Sequence, residues 1–295
     1  MMVKKITLFM VILTIVACST KNKDEFDPTN PGGKDSTGKS VPLETGAIPT
    51  KSNHHVKFTK NIDPRTYGGE KSTDQLLIDD MNAHIKDNLS YGPIDALGIW
   101  TGTFGKNYIN VSLTKIEGNR VEGFSVCAGN FRKINGYYET DNDIAYHFQM
   151  NEPGTDPYDG VFDFTINLQD MELNGNWKPF KEKGNSPKEY TLSKRKFVYD
   201  PHVGEFPDAS LRLLDYSDVE NLNEDELAKY RNEIYARHGY SFKNKKWRYY
   251  FEKMEWYIPM GLDIRDKLSD IEVQNIELIY EYESYYEEEY DYYGR

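Results

Sequence analysis

The sequence predicts an α+β chain of more than one domain: an antiparallel β-barrel or meander followed by a small helical domain. Three observations carry that expectation. From Gly98 to about Arg195, apolar and polar residues alternate with the period of half-buried strands. Beyond Ser210 the period becomes helical and cap signals appear. Ahead of both, residues 18–70 show neither period.

Taken in order, Lys4 and Lys5 precede the apolar run Ile6 to Ala17, which is too short to span a bilayer comfortably. The run closes on Ile15-Val16-Ala17-Cys18, which is similar to a bacterial lipobox. In such signals the peptidase cuts before the Cys and the Cys carries the lipid. The resemblance implies that residues 1–17 are a signal peptide, that Cys18 is lipidated, and that the membrane is a partner through that lipid. No Asp follows Cys18 directly. Lys23-Asp24-Glu25 resembles the export signal of Bacteroidetes-type lipoproteins, which implies an outer-membrane anchor with cell-surface exposure. With Cys18 so used, Cys127 is left as a single free thiol, and no intramolecular disulfide forms. Residues 18–70 scatter Pro28, Pro31, Gly32 and Gly33 among Ser, Thr, Asn and Lys and read as a disordered tether. His54-His55 lies in it without a Cys or carboxylate framework, so no metal is expected there.

A domain over residues 71–200 comes next. It opens with an amphipathic helix from Ser72 to Leu89, capped by Ser72 or Asp74, with Leu76, Leu77, Met81 and Ile85 as its buried face. Strands follow. Ile109, Val111 and Leu113 alternate with Asn110, Ser112 and Thr114, and Phe162, Phe164 and Ile166 alternate with Asp163, Thr165 and Asn167. Turn signals stand at Gly118-Asn119, Asn135-Gly136 and Asn174-Gly175. About eight short strands result, and a meander of that size closes because closure removes exposed edges. Gly98-Ile99-Trp100 resembles the Gly-x-Trp that opens lipocalin-like, calycin-type barrels, where the Trp plugs the barrel base.

Candidate chemistry in this domain is sparse. Cys127 with His147 has the residue types of a nucleophile and base, but no local motif supports the pair. Glu152, Asp156 and Asp159 are clustered oxygen donors of the kind calcium takes. Their spacing is not that of an EF-hand, and a long acidic hairpin loop accounts for them without metal.

The third domain, residues 210–284, is organised around Leu222 to Gly239. Asn223 and Glu226 form a capping box, acids fill the first turn, and Gly239 supplies the left-handed C-terminal residue. Leu227, Tyr230 and Ile234 share a face that Phe242, Trp247, Tyr250, Phe251, Trp256 and Tyr257 are placed to cover. Tyr235-Ala236-Arg237-His238-Gly239 resembles the signature of the YARHG domain, a module of bacterial envelope proteins. Arg231-Asn232-Glu233-Ile234 before it, Ser241-Phe242, Phe251 and Trp256-Tyr257 after it, and Asn275-Ile276 and Glu283 on a closing helix extend the likeness. The resemblance implies an extracytoplasmic module and no particular reaction. Its candidate binding residues are Arg231, Tyr235, Arg237 and His238. The reading preferred over a binding site is a folding motif, in which Glu233 and Arg237 bridge along the helix surface and His238 packs on Trp256 or Phe242. Ser269 and Glu272 cap a last helix with Ile271, Ile276 and Ile279 buried. Residues 285–295 form an acidic, Tyr-rich tail.

A net charge of -12 excludes nucleic acid as a partner, because phosphate binding needs a concentrated positive face. The chain lacks His-Glu-x-x-His, Gly-x-Ser-x-Gly and a phosphate-cradling glycine loop. No cofactor is expected. The sequence therefore points to a non-catalytic envelope lipoprotein that binds an envelope protein or polymer. The alternatives are an envelope enzyme or its accessory subunit, and a small apolar ligand inside the barrel.

Overall fold

The computed structural model describes residues 71–87, 93–181 and 186–293. The lipobox-like segment, the tether and His54-His55 lie outside them, as do the side chains beyond Tyr285.

Eight antiparallel strands form a closed barrel in chain order. They are β1 (Gly98–Phe104), β2 (Asn107–Glu117), β3 (Arg120–Cys127), β4 (Asn130–Glu139), β5 (Ala145–Asn151), β6 (Gly160–Asn167), β7 (Glu172–Pro179) and β8 (Lys188–Arg195). β1 closes the ring on β8, Trp100 lying opposite Lys194. The apolar members of each alternation point inward, and side chains from all eight strands meet in one cluster. Trp100 is fully buried in it. Its Nε1 donates to Ala96 O at 2.8 Å, in the short 3-10 turn Ile94–Ala96, so the base is plugged and the indole polar group satisfied.

Two expected turns are not turns. Gly136 lies inside β4 and Gly175 inside β7. A Cβ at Gly136 would fall 1.8 Å from Gln149 O, and one at Gly175 would fall 2.4 Å from Asp163 O. These Asn-Gly pairs serve close approach of neighbouring backbones in a tightly coiled sheet. Gly118-Asn119 does turn the chain, with Gly118 at φ +60.

Helix α1 (Thr73–Asp87) starts where Ser72 Oγ accepts Gln75 N at 3.1 Å. Its buried face differs from the expected one: Gln75, Ile78 and Met81 are covered, whereas Leu76 is 55% and Leu77 39% exposed. The reason is tertiary. Gln75 Oε1 accepts the backbone N–H of Leu262 at 2.7 Å and of Asp263 at 3.0 Å. That bond sets the helix rotation and lays Ile78 and Met81 on Phe124, Val126 and Phe131, outside the barrel.

The outer face of β2 is also covered. Asn110 and Ser112 are fully buried. Asn110 Nδ2 donates to Pro259 O at 3.1 Å and Ser112 Oγ to Asn110 Oδ1 at 2.9 Å. The polar half of that alternation faces the C-terminal helical region instead of water.

That region comprises α2 (Asp208–Leu211), α3 (Tyr216–Val219), α4 (Glu224–Arg237), α5 (Lys245–Phe251) and α6 (Asp270–Tyr293). Ile234, Tyr235, Phe251, Tyr257, Ile276 and Ile279 form its core. The capping box of α4 is closed, Asn223 N donating to Glu226 Oε2 at 2.9 Å and Glu226 N to Asn223 Oδ1 at 3.1 Å. On α6, Ile276 and Ile279 are buried as expected, while Ile271 is half-buried and Glu272 and Asn275 take buried places.

Candidate functional site

The candidate site starts at the end of α4. Gly239, at φ +75, lets its N–H reach Ala236 O at 2.9 Å and brings Tyr240 N to Tyr235 O at 3.1 Å. This turn fixes the directions of Arg237 and His238, and both point inward.

Arg237 is 2% exposed. Its guanidinium bonds Glu233, donates from Nε to Val203 O at 2.8 Å, and donates from Nη1 to Ser210 Oγ at 3.1 Å. The Glu233–Arg237 pair expected on the surface is thus a buried one. Glu233 also accepts the N–H groups of Glu205 at 3.0 Å and Phe206 at 2.7 Å. A buried ion pair stabilises only when its remaining bonding capacity is met, and here backbone groups meet it.

His238 packs on neither Trp256 nor Phe242. Its ring stacks on Tyr199, centroids 4.4 Å apart and planes at 18°. Nε2 lies 2.9 Å from Glu272 Oε2. Glu272 further accepts Ser210 Oγ at 2.7 Å, Tyr199 OH at 2.9 Å and Ser269 N at 2.9 Å. Burial works to raise the Glu272 carboxyl. The bonds from His238, Ser269 and Ser210 outweigh it and hold the group below the usual carboxylate value. The expected cap of α6 is present, but its Glu is shared with α4.

Arg231 forms a two-pronged bond to Glu283, both contacts 3.0 Å, and lies 4.5 Å over the Tyr280 ring. Tyr235 is fully buried, its OH 3.5 Å from Tyr280 OH. The four candidate binding residues therefore fall into two clusters: Arg237 and His238 with Glu233, Ser210, Glu272 and Tyr199, and Arg231 and Tyr235 with Tyr280 and Glu283. Sequence reasoning missed Tyr199 and Ser210 as partners here. The Ser269-Glu272 cap and the resemblance, which extends to Asn275-Ile276 and Glu283 on the closing helix, pointed to the far side.

In the barrel, the three acidic candidates have protein partners. Glu152 Oε2 accepts Gly160 N at 2.6 Å and Trp177 Nε1 at 3.0 Å, and burial pushes this carboxyl up to about 7. Asp159 and Asp156 face Arg132, at 2.8 Å from Nε and 3.1 Å from Nη2. A guanidinium stands where a cation would. Among the described residues no three His, Cys, Asp or Glu are grouped as metal ligands.

Cys127 and His147 are not brought together. Cys127 pairs with Asn130 and His147 with Glu139, at opposite ends of β4. Those positions are about 30 Å apart at the usual rise along a strand. Burial pushes the Cys127 thiol up to about 12, the reverse of what a nucleophile needs.

On the outside of β7, β8 and β1 lies a groove of about 810 Å³, lined by Thr103, Asn174, Asn176, Glu189 and Thr191. Gly105, Gly175 and Tyr190 complete a lining that mixes amide, hydroxyl and apolar groups with a single carboxylate.

Fold and site together define a closed eight-stranded barrel carrying a helical module locked by a buried hydrogen-bond network around the Glu233–Arg237 ion pair. Residues 205–284 match the family described as the YARHG domain, so the chain carries that domain. No curated protein and no solved structure matches the chain. Among the described residues, no helix is long and apolar enough to cross a membrane.

Proposed function

We propose that this protein is a lipid-anchored protein of the bacterial outer membrane, exposed at the cell surface and binding in role, not catalytic. It is held through Cys18 and binds an envelope polymer or protein. The observation that carries the reading is the network itself: Arg237, Glu233, His238 and Glu272 satisfy one another and the chain around them. The charged groups of the signature are spent on folding the module, which leaves recognition to outer surfaces. Arg231, Tyr235, Arg237 and His238 act in this reading as positioning residues. Anchorage rests on the lipobox-like Ile15-Val16-Ala17-Cys18 and the polar segment after it.

The test is fractionation with metabolic lipid labelling. The parent chain is expected in the membrane fraction, labelled, and accessible to protease added to intact cells. Cys18→Ser should be unlabelled and soluble. Unchanged labelling and fractionation of the variant would refute the reading.

A further inference from the structure

We propose that the outer face of β7, β8 and β1 binds an extended, uncharged glycan chain. The inference rests on the reading above, that the protein binds an envelope polymer, and names the polymer's chemistry.

The sheet register places the relevant side chains in a row. His147 lies opposite Thr165, Thr165 opposite Asn174, and Asn174 opposite Thr191. Thr103 lines the same groove as Asn174 and Thr191, and it lies opposite Tyr108 on β2. Residues directly opposed in antiparallel strands share a face, and adjacent strands are about 4.8 Å apart. Within the groove, β7, β8 and β1 therefore offer Asn174, Thr191 and Thr103, one hydrogen-bonding side chain per strand at a regular interval. A chain of linked sugars presents hydroxyls along its length, and it fits such a row laid across these three strands.

Amides and hydroxyls both donate and accept, as sugar hydroxyls do. Thr191 Oγ1 donates to Asn174 Oδ1 at 2.6 Å, and Asn174 Nδ2 donates to Glu172 Oε2 at 2.9 Å, so this amide is held in orientation. Asn176 and Thr103 are exposed and have no hydrogen bond from their side chains to other described residues. Their bonding capacity faces the groove.

The groove's described lining residues hold no ion pair, and the contact beside it is His147 with Asp163 at 3.5 Å. On β2, β3 and β4 the exposed residues pair as ions, Lys115 with Glu117 at 2.6 Å and Lys133 with Glu122 at 3.4 Å. Asn is disfavoured in strands, yet Asn174 and Asn176 hold alternate outward positions on β7 around Gly175. Asn174 has Thr191 and Glu172 as partners, whereas neither propensity nor a protein partner accounts for Asn176, and a ligand that uses its amide does. Asp163, Glu172 and Glu189 flank or line the row and repel a polyanion, so the chain bound is neutral.

The experiment is isothermal titration of the detergent-solubilised full chain with cellohexaose, hexa-N-acetylchitohexaose and, as the anionic comparison, hexagalacturonate. At least one neutral hexasaccharide is expected to bind about tenfold or more tightly than the anion. The double variant Asn174→Ala/Asn176→Ala should weaken that binding by about tenfold, the scale of one or two lost hydrogen bonds, with unchanged melting. If the double variant melts lower, Thr103→Ala on the neighbouring strand decides by the same loss. No binding of either neutral sugar at millimolar concentration, equal binding of the anion, or undiminished binding by the variants would overturn the proposal. Cys18→Ser leaves the groove intact and the groove variants leave the anchor intact, so the two readings fail separately.

Discussion

Tyr199 lies flat on His238, ring centroids 4.4 Å apart, and its hydroxyl donates to Glu272 at 2.9 Å. The family match begins only at residue 205. The segment leaving the barrel therefore completes the buried network of the helical module. Val203 O accepts Arg237 Nε at 2.8 Å, and a Cβ on Gly204 would meet Glu233 Oε1 at 2.3 Å. The packing of this segment reaches Arg237 and His238 of the signature and Glu233 just before it.

Substitution at Tyr199 tests this in the full chain. Tyr199→Phe keeps the stack and removes one bond to Glu272, so unfolding in denaturant should show a loss of about 1 kcal/mol. Tyr199→Ala also removes the ring pair and should lose about 0.5–1.5 kcal/mol more. An alanine variant as stable as the parent would mean that residues before 205 only pass by the module.

Two buried carboxylates should bend the pH profile of stability in opposite directions. Glu272 is held below its ordinary value, so its contribution is present above the unfolded carboxylate range, near pH 4.3, and is lost as pH falls through the lower folded value. Glu152 is raised to about 7, so its folded form favours the proton, and stability falls as pH rises from the carboxylate range through about 7. Burial raises Glu252 to about 7 as well, and it slopes the same way. Denaturation of single variants from pH 3 to 8 separates the effects. Glu272→Gln should lose stability against the parent at neutral pH, with the difference shrinking in acid. Glu152→Gln should gain on the parent as pH rises from 5 to 8, removing part of the slope and leaving the Glu252 share. Parallel profiles for either variant and the parent would sink the corresponding assignment.

The two kinds of glycine can be told apart by adding one methyl group. At Gly136→Ala the new Cβ would meet Gln149 O at 1.8 Å, so the strands must separate or the barrel must open. Nothing stands within 4 Å of a Cβ at Gly118, where the cost is only that of a left-handed residue, about 1–2 kcal/mol. Melting temperature should fall far more for Gly136→Ala than for Gly118→Ala. The reverse order would return Asn135-Gly136 to the role of a turn.

Features set by neighbours along the chain were legible beforehand. The Asn223–Glu226 box, the Ser269–Glu272 box and the left-handed Gly239 each involve residues within a few positions, and all three form. The alternation from Ile109 to Leu192 marked a meander, and the Gly-x-Trp resemblance put Trp100 inside the barrel. Errors arose where a local signal has two physical uses. Asn-Gly suits a tight turn, but glycine also suits a strand that another backbone crosses closely, and only the coiling of the barrel selects between them.

The sequence by itself determined the order of elements, the ends of the helices and the apolar side of most strands, because these depend on caps and periodicity within one element. Only the tertiary structure decided which face α1 buries, since Gln75 is held by backbone N–H groups of Leu262 and Asp263. It also decided that Asn110 and Ser112 turn away from water, and that Glu233, Arg237 and His238 face inward to Val203, Tyr199 and Glu272. Polar side chains carry no sign of burial in their own spacing. Their place is set by partners distant in the chain, which must supply the bonds that make burial tolerable.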